Sequence, residues 1–102
     1  MTRSRTDTVS ASVEINGAEM YYQLAGAGQP LVLIHAGIAD HRMWDAQFSA
    51  FAERFRTVRY DLRGVGLSSM PAGPFSHHND LKGLLEALDI DQAHLVGPRR
   101  RR

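Results

Sequence analysis

Two hydrophobic periods alternate along this chain. Val13 to Ile15, the Asn16-Gly17 turn and Glu19 to Leu24 predict a hairpin, because Asn-Gly tolerates the positive φ angles of a two-residue type I′ turn. Ala25 to Gln29 (AGAGQ) is a second, glycine-rich turn. Leu31 to Ile34 is apolar with no polar alternation, the pattern of a strand covered on both faces in a parallel sheet. Trp44, Phe48, Phe51, Ala52 and Phe55 then recur at i, i+4, i+7, i+8 and i+11, which predicts a helix over Trp44 to Phe55. Thr57 to Tyr60, rich in β-branched and aromatic residues, is a short strand. Pro71, Gly73 and Pro74 mark an irregular loop. Ser76 is placed to cap a second helix, with Asp80 in its first turn, where the helix dipole favours a negative charge. Leu81, Leu84, Leu85 and Leu88 form its apolar stripe, Asp89 ends it, and Ala93 to Val96 is the last strand.

Hairpin, strand, helix, strand, helix, strand is the order of an α/β protein whose parallel strands are joined by right-handed crossovers and covered by helices. The expected organisation is a disordered N-terminus over residues 1–11, a folded portion over 12–97 and a basic tail over 98–102.

Composition narrows the class. A chain of 102 residues, 43% hydrophobic and 23% charged, is at most one globular domain or part of one. Its longest apolar run, Leu31 to Ile34, is far short of a bilayer crossing, and no apolar segment of a secretory signal follows Arg3 and Arg5. With no cysteine, disulfides and thiolate metal sites are excluded, which suits a cytoplasmic protein. The net charge of +1 conceals an asymmetry: residues 1–98 carry 8 basic and 11 acidic side chains, and the last four residues are all arginine. Four arginines without interleaved aromatics do not amount to a specific nucleic-acid site or a membrane anchor.

Candidate chemistry gathers in three segments. His35-Ala36-Gly37 follows the most apolar strand, at the carboxyl end where parallel sheets collect their ligands. Asp61 to Ser68 (DLRGVGLS) follows the next strand, and Ala93 to Gly97 (AHLVG) runs a strand into a glycine. In this order the three segments resemble the N-terminal half of the α/β-hydrolase family, truncated at the nucleophile elbow. LVLIHAGIADHRMWDAQF resembles the stretch in which a His-Gly pair follows the third strand, and DLRGVGLS resembles the family's D-x-R-G-x-G-x-S loop. RMWDAQF and DLRGVGLSSMPAGPF look most like the branch near 3-oxoadipate enol-lactonases and related hydrolases.

The resemblance implies roles, position by position. Gly37 takes the place of the backbone N–H donor to the oxyanion hole. Ala36 stands where a glycine is usual, and His35 would brace the loop without being the general base. A buried structural histidine is the plain alternative. Asp61 and Arg63 would act as a pair that satisfies loop backbone, and Gly64 and Gly66 allow the tight reversal. Gly97 corresponds to the first glycine of G-x-S-x-G, so Pro98, Arg99 and Arg101 fall on the variable, serine and second glycine positions. An arginine stays protonated near neutral pH and is no acyl nucleophile.

Neighbouring alternatives carry less. Gly64-Val65-Gly66 does not open a helix, as a dinucleotide fingerprint must, since Pro71 and Pro74 follow. Ser68 lies in a loop with no immediate helix and so is a poor nucleophile elbow. His77 and His78 diverge on a helix, and His41 and His94 have no ligand at metal spacing, so all four read as solvated surface histidines. No cofactor and no metal site are expected.

The chain is thus expected to be a hydrolase-family fragment with no catalytic residues of its own. Its parent would hydrolyse a carboxylic ester, lactone or C–C bond of a small molecule. The alternative is a non-enzymatic interaction module that uses the basic tail or an open sheet edge. Self-association through that edge is expected in either case.

Overall fold

A computed structural model describes residues 7–98; residues 1–6 and the tail residues 99–102 lie outside the described residues, and with them Arg99 and Arg101. Asn16 and Gly17 adopt φ of 50° and 85° and make the expected turn. The turn joins β1 (Val9–Ile15) to β2 (Ala18–Ala25) as an antiparallel pair, with Ile15 opposite Ala18 and Val9 opposite Leu24. β1 begins within the stretch expected to be disordered. Val9, Ala11, Val13 and Ile15 alternate with exposed Ser10, Ser12 and Glu14, a period of two that the serines and alanine disguise in the sequence.

β3 (Pro30–Ile34), β4 (Arg56–Tyr60) and β5 (His94–Val96) complete a five-stranded sheet of order β1-β2-β4-β3-β5. β3 runs parallel to β4 on one side and β5 on the other, the central place that the family resemblance implies. β2 joins this parallel set antiparallel to β4.

One helix covers each face. α1 (Asp45–Ala52) follows a 3-10 turn, His41–Trp44, whose N-cap is Asp40. The helix is shorter than the predicted Trp44 to Phe55, because its ends relax into tighter turns, yet the stripe keeps its purpose. Phe48 and Ala52 are buried with Ala25, Leu31 and Leu33, and Trp44, Phe51 and Phe55 pack around them. α2 (His77–Ala87) starts at Ser76, whose hydroxyl accepts the Asn79 N–H at 3.2 Å, as the sequence predicts. It stops where Asp89 turns left-handed at φ 59°. Leu84 of α2 is fully buried with Val32, Val58 and Tyr60 on the other face. Leu31 and Leu33 therefore point to α1 and Val32 to α2, which explains the unbroken apolar run of β3. Among the described residues no helix is long and apolar enough to cross a membrane.

Candidate active site

β3 and β4 run parallel and end side by side, so the loops after them, which begin at His35 and Asp61, emerge together. His35 ties them to each other. Its buried ring accepts the Leu62 backbone N–H at Nε2, 2.9 Å, and contacts the Ala36 carbonyl through Nδ1 at 2.6 Å. A backbone N–H can only donate, so Nε2 is unprotonated and the proton sits on Nδ1, donated to Ala36. Both nitrogens are thereby occupied. This is the geometry of a brace, and it leaves no free nitrogen to take a proton from a substrate.

Asp61 and Arg63 do satisfy backbone groups, but separately, which corrects the expected pairing. The fully buried Asp61 carboxylate accepts the His41 N–H at 2.7 Å, the His41 Nδ1 at 2.9 Å and the Leu67 N–H at 2.9 Å. Arg63 turns the other way, towards the hairpin and α2. It meets both oxygens of Asp80 at 2.9 Å and donates to the Asn16 carbonyl at 3.1 Å. Burial acts to raise the Asp80 pKa, but hydrogen bonds from Arg63 and Asn16 and the Arg63 charge outweigh it, and the carboxyl ends below its ordinary value. Hydrogen bonding to Asp80 in turn raises the Arg63 pKa. The sequence pointed only to the helix dipole as a reason for Asp80; a partner 17 residues away leaves no local signal.

His41 is likewise not a solvated surface histidine. Its side chain is 12% exposed, its Nδ1 is hydrogen-bonded to the Asp61 carboxylate at 2.9 Å, and the Tyr21 ring lies 5.1 Å away. Asp40, His41 and Asp61 bring potential ligand atoms within 4.8 Å of one another. Those atoms are already engaged: the Asp40 carboxylate holds the Arg42 guanidinium at 2.8 Å, which keeps its pKa well below the usual carboxylate range.

Gly64 and Gly66 both have positive φ, 80° and 55°. A Cβ on Gly66 would run into the Asp61 carboxylate, so the second glycine lets the loop fold directly over that buried charge. Ser68 and Ser69 then extend the sheet. The Ser68 hydroxyl accepts the Tyr21 N–H at 2.9 Å and donates to the Asp61 carbonyl at 2.8 Å. Ser69 accepts the Glu19 N–H at 2.9 Å and returns its own N–H to the Glu19 carbonyl at 2.9 Å. These bonds satisfy the part of β2 that β4 does not reach. Ser68 is thereby accounted for as a structural residue.

Beyond the ends of β3, β4 and β5 lies an open cleft of ≈ 620 Å3. Ile34, Tyr60, Leu62 and Leu81 give it an apolar wall, while Ala36, Gly37 and Gly97 lie at its rim with His77 and His78 of α2. The sequence did not mark His77 and His78 as site residues; α2 brings both, exposed, to the cleft. Gly37 is exposed, and among the described residues its N–H has no hydrogen-bond partner. The preceding Ala36 N–H is held by the Met43 Sδ at 3.3 Å, and the Ala36 carbonyl accepts the Ala39 N–H at 2.9 Å. The Gly37 amide is thus carried on an anchored turn, and a Cβ there would meet nothing within 4 Å. Gly97 packs against Ile34.

Comparison with known proteins places this geometry. The sequence profile of the alpha/beta hydrolase fold matches residues 29–97. The soluble epoxide hydrolase of Corynebacterium sp. (strain C12) is 34% identical over 95 residues, which cover 90% of this chain and 33% of that enzyme. Among solved structures, the ligand-free epoxide hydrolase CorEH superposes with a TM-score of 0.82 at 33% identity, over 87% of this chain and 32% of its own. Est816, described as an N-acyl homoserine lactone degrading enzyme, gives 0.79 at 35% identity, over 84% and 34%. The chain therefore spans about a third of the length of these proteins.

Proposed function

Because this chain belongs to the α/β-hydrolase fold family, we propose that its three loops form the oxyanion-loop side of a hydrolase active site, acting on a carboxylic ester, lactone or C–C bond of a small molecule. The observation that carries this reading is the Gly37 N–H, unpartnered on the rim of an apolar cleft and fixed by Met43, Ala36 and His35. A preorganised donor of this kind stabilises the negative charge that develops on a carbonyl oxygen, and removal of one such donor typically costs about 100- to 1,000-fold in turnover. The epoxide hydrolase and lactone-degrading relatives support a hydrolytic reaction on a small molecule. The absence of cysteine agrees with a cytoplasmic setting.

The 102 residues by themselves do not turn a substrate over. No serine hydroxyl among the described residues is hydrogen-bonded to an imidazole, and Ser68 is buried between two backbone partners. Without an aligned nucleophile and base, only a small fraction of the family's rate enhancement is available. A non-enzymatic interaction module is the second reading, favoured by the outer edge of β5, which pairs with no strand among the described residues.

Two measurements test the proposal. The purified chain should release no burst of p-nitrophenol from p-nitrophenyl acetate, and stoichiometric labelling of one of its serines by a fluorophosphonate would overturn the claim of inactivity. A chimera carrying residues 29–97 in place of the matching segment of the Corynebacterium epoxide hydrolase should hydrolyse that enzyme's substrate. Gly37→Pro, which removes the N–H, should lower its kcat by about 100-fold or more. Full activity in a folded Gly37→Pro chimera would sink the oxyanion assignment.

A further inference from the structure

We propose that Met43 is an oxidation site built into the anchor of the turn that carries Gly37. A hydroperoxide converts its thioether to the sulfoxide, the Ala36 N–H loses its present acceptor, and the turn loosens. The inference rests on the proposed function only for the use made of the Gly37 amide.

Ala36 and Ala39 close this turn, the Ala39 N–H bonded to the Ala36 carbonyl at 2.9 Å, with Gly37 and Ile38 between them. The same carbonyl takes the Nδ1 proton of His35, so it is fixed twice. The Ala36 N–H has a softer anchor, the Met43 Sδ at 3.3 Å. A thioether sulfur is a weak acceptor, and of the groups that hold the turn it is the one a mild oxidant alters. It is also within reach. Met43 is 39% exposed and lines an open cleft of ≈ 630 Å3 with Ile38, Ala39 and Val65. Met20 is fully buried. Met70 is exposed, but its sulfur packs over Gly64, in the loop after β4, and holds no amide of the turn.

In the reaction a sulfur lone pair attacks one oxygen of the hydroperoxide and the O–O bond breaks. Sulfur is oxidised by two electrons and keeps that oxygen, and the other leaves as water or an alcohol. The side chain becomes polar and larger by one oxygen. It cannot make room by moving its backbone, because the 3-10 turn is pinned at three successive amides. The His41 N–H goes to the Asp61 carboxylate at 2.7 Å, the Arg42 N–H to the Asp40 carboxylate at 2.9 Å and the Met43 N–H to the Asp40 carbonyl at 3.0 Å. An oxygen added on the side of Ala36 stands in the 3.3 Å gap and drives sulfur and amide apart. An oxygen on another side sets a polar group against Ile38 and Val65 and draws the side chain out to water. Either way the Ala36 amide leaves its present anchor, and Gly37 loses a fixed neighbour.

Amide exchange of the full chain before and after hydrogen peroxide tests this. Mass spectrometry should find oxygen on Met43 and Met70 and none on Met20. In the oxidised chain the Ala36 amide should exchange about 2- to 10-fold faster, the loss of one net hydrogen bond. The Ala36 and Gly37 amide resonances should move, and a methionine sulfoxide reductase should restore both. Met43→Leu should show the faster exchange without peroxide. Met43→Gln, whose side-chain oxygen accepts but does not oxidise, should keep its protection in peroxide, and Met70→Leu should respond like the parent. In the chimera that carries residues 29–97, peroxide should lower kcat about tenfold at unchanged KM, short of the roughly 100-fold expected for loss of the Gly37 N–H. The Met43→Gln chimera should be spared relative to its untreated self. Ala36 exchange indifferent to peroxide or to Met43→Leu, or an equal loss of turnover in the Met43→Gln chimera, would overturn the inference. Full activity of the Gly37→Pro chimera would instead remove the oxyanion reading, and the amide response of the chain alone would then decide on the modification site.

Discussion

Arg63 grips Asp80 in a fork, Nε to Oδ2 and Nη2 to Oδ1, both at 2.9 Å, and the pair is all but sealed from solvent. Asn16 adds its side-chain amide to Asp80 at 3.1 Å and its carbonyl to Arg63 at 3.1 Å. Three segments distant in sequence therefore meet on one charge pair: the hairpin turn, the loop after β4 and the first turn of α2. The Phe75 ring, 5.1 Å from the Arg63 guanidinium, closes the outer side. A buried pair of this kind adds little net stability over an apolar filling, but loss of one partner strands the other charge.

The depressed pKa of Asp80 has a consequence for acid stability. A carboxyl whose folded pKa lies below its unfolded value contributes stability above the ordinary value of 3.8, and that contribution disappears as pH falls through the folded pKa. Asp80→Asn removes the charge at every pH while Arg63 stays protonated. The variant should therefore be much less stable than the parent chain at pH 7. The gap should begin to narrow as pH falls beneath 3.8, where the unfolded chain takes up the proton. It should close once pH passes the lower folded value, where the parent carries a neutral Asp80 too. Urea unfolding of both chains between pH 7 and pH 2 checks this. A gap that stays constant across the range would show that the charge of Asp80 is not what the pair depends on.

The two loop glycines should respond differently to a methyl group. Alanine at either position pays for a left-handed backbone, about 1–2 kcal/mol. At Gly64 the new Cβ meets the Met70 side chain, which is exposed and free to move aside. At Gly66 it meets the Asp61 carboxylate, already fixed by three N–H groups. Gly66→Ala should thus cost clearly more than Gly64→Ala. Gly37→Ala, with open space around it and no positive φ, should stay within about 0.5 kcal/mol of the parent chain. Chemical denaturation of the three variants gives the ranking, and equal losses at positions 64 and 66 would mean that the Asp61 contact does not constrain the loop.

Much of the fold was legible because its signals are local. The Asn16-Gly17 turn, the unbroken apolar run of β3, the Ser76 cap and the leucine stripe of α2 each announce themselves within a few residues. The start of β1 was hidden by Ser10, Ala11 and Ser12, whose alternation matters only once β2 lies beside it. The site was legible as a set of loops and not as a set of bonds. Asp61 and Arg63 lie two apart and suggest a pair, yet each takes its side-chain partner, His41 or Asp80, from 17 or more residues away. Such partnerships depend on how β4 and α2 are placed in space, and composition and period carry no information about that. His77 and His78 came to the cleft for the same reason.

Ser68 offers the sharpest separation between a catalytic and a structural serine. A nucleophile needs a base beside its hydroxyl and an open approach for the substrate. The Ser68 Oγ instead donates to the Asp61 carbonyl at 2.8 Å and accepts the Tyr21 N–H at 2.9 Å, in a largely buried position. Ser68→Ala leaves both backbone groups without their partner and should cost about 1–3 kcal/mol. The Tyr21 amide should then exchange its hydrogen faster. Ser69→Ala removes a similar bond to the Glu19 N–H, but that site is exposed, so water can replace the hydroxyl and the loss should be smaller. Fluorophosphonate should label neither serine in the parent chain. Unchanged stability in Ser68→Ala, together with labelling of Ser68 in the parent, would show that this hydroxyl is available for chemistry and that its place in the sheet extension is incidental.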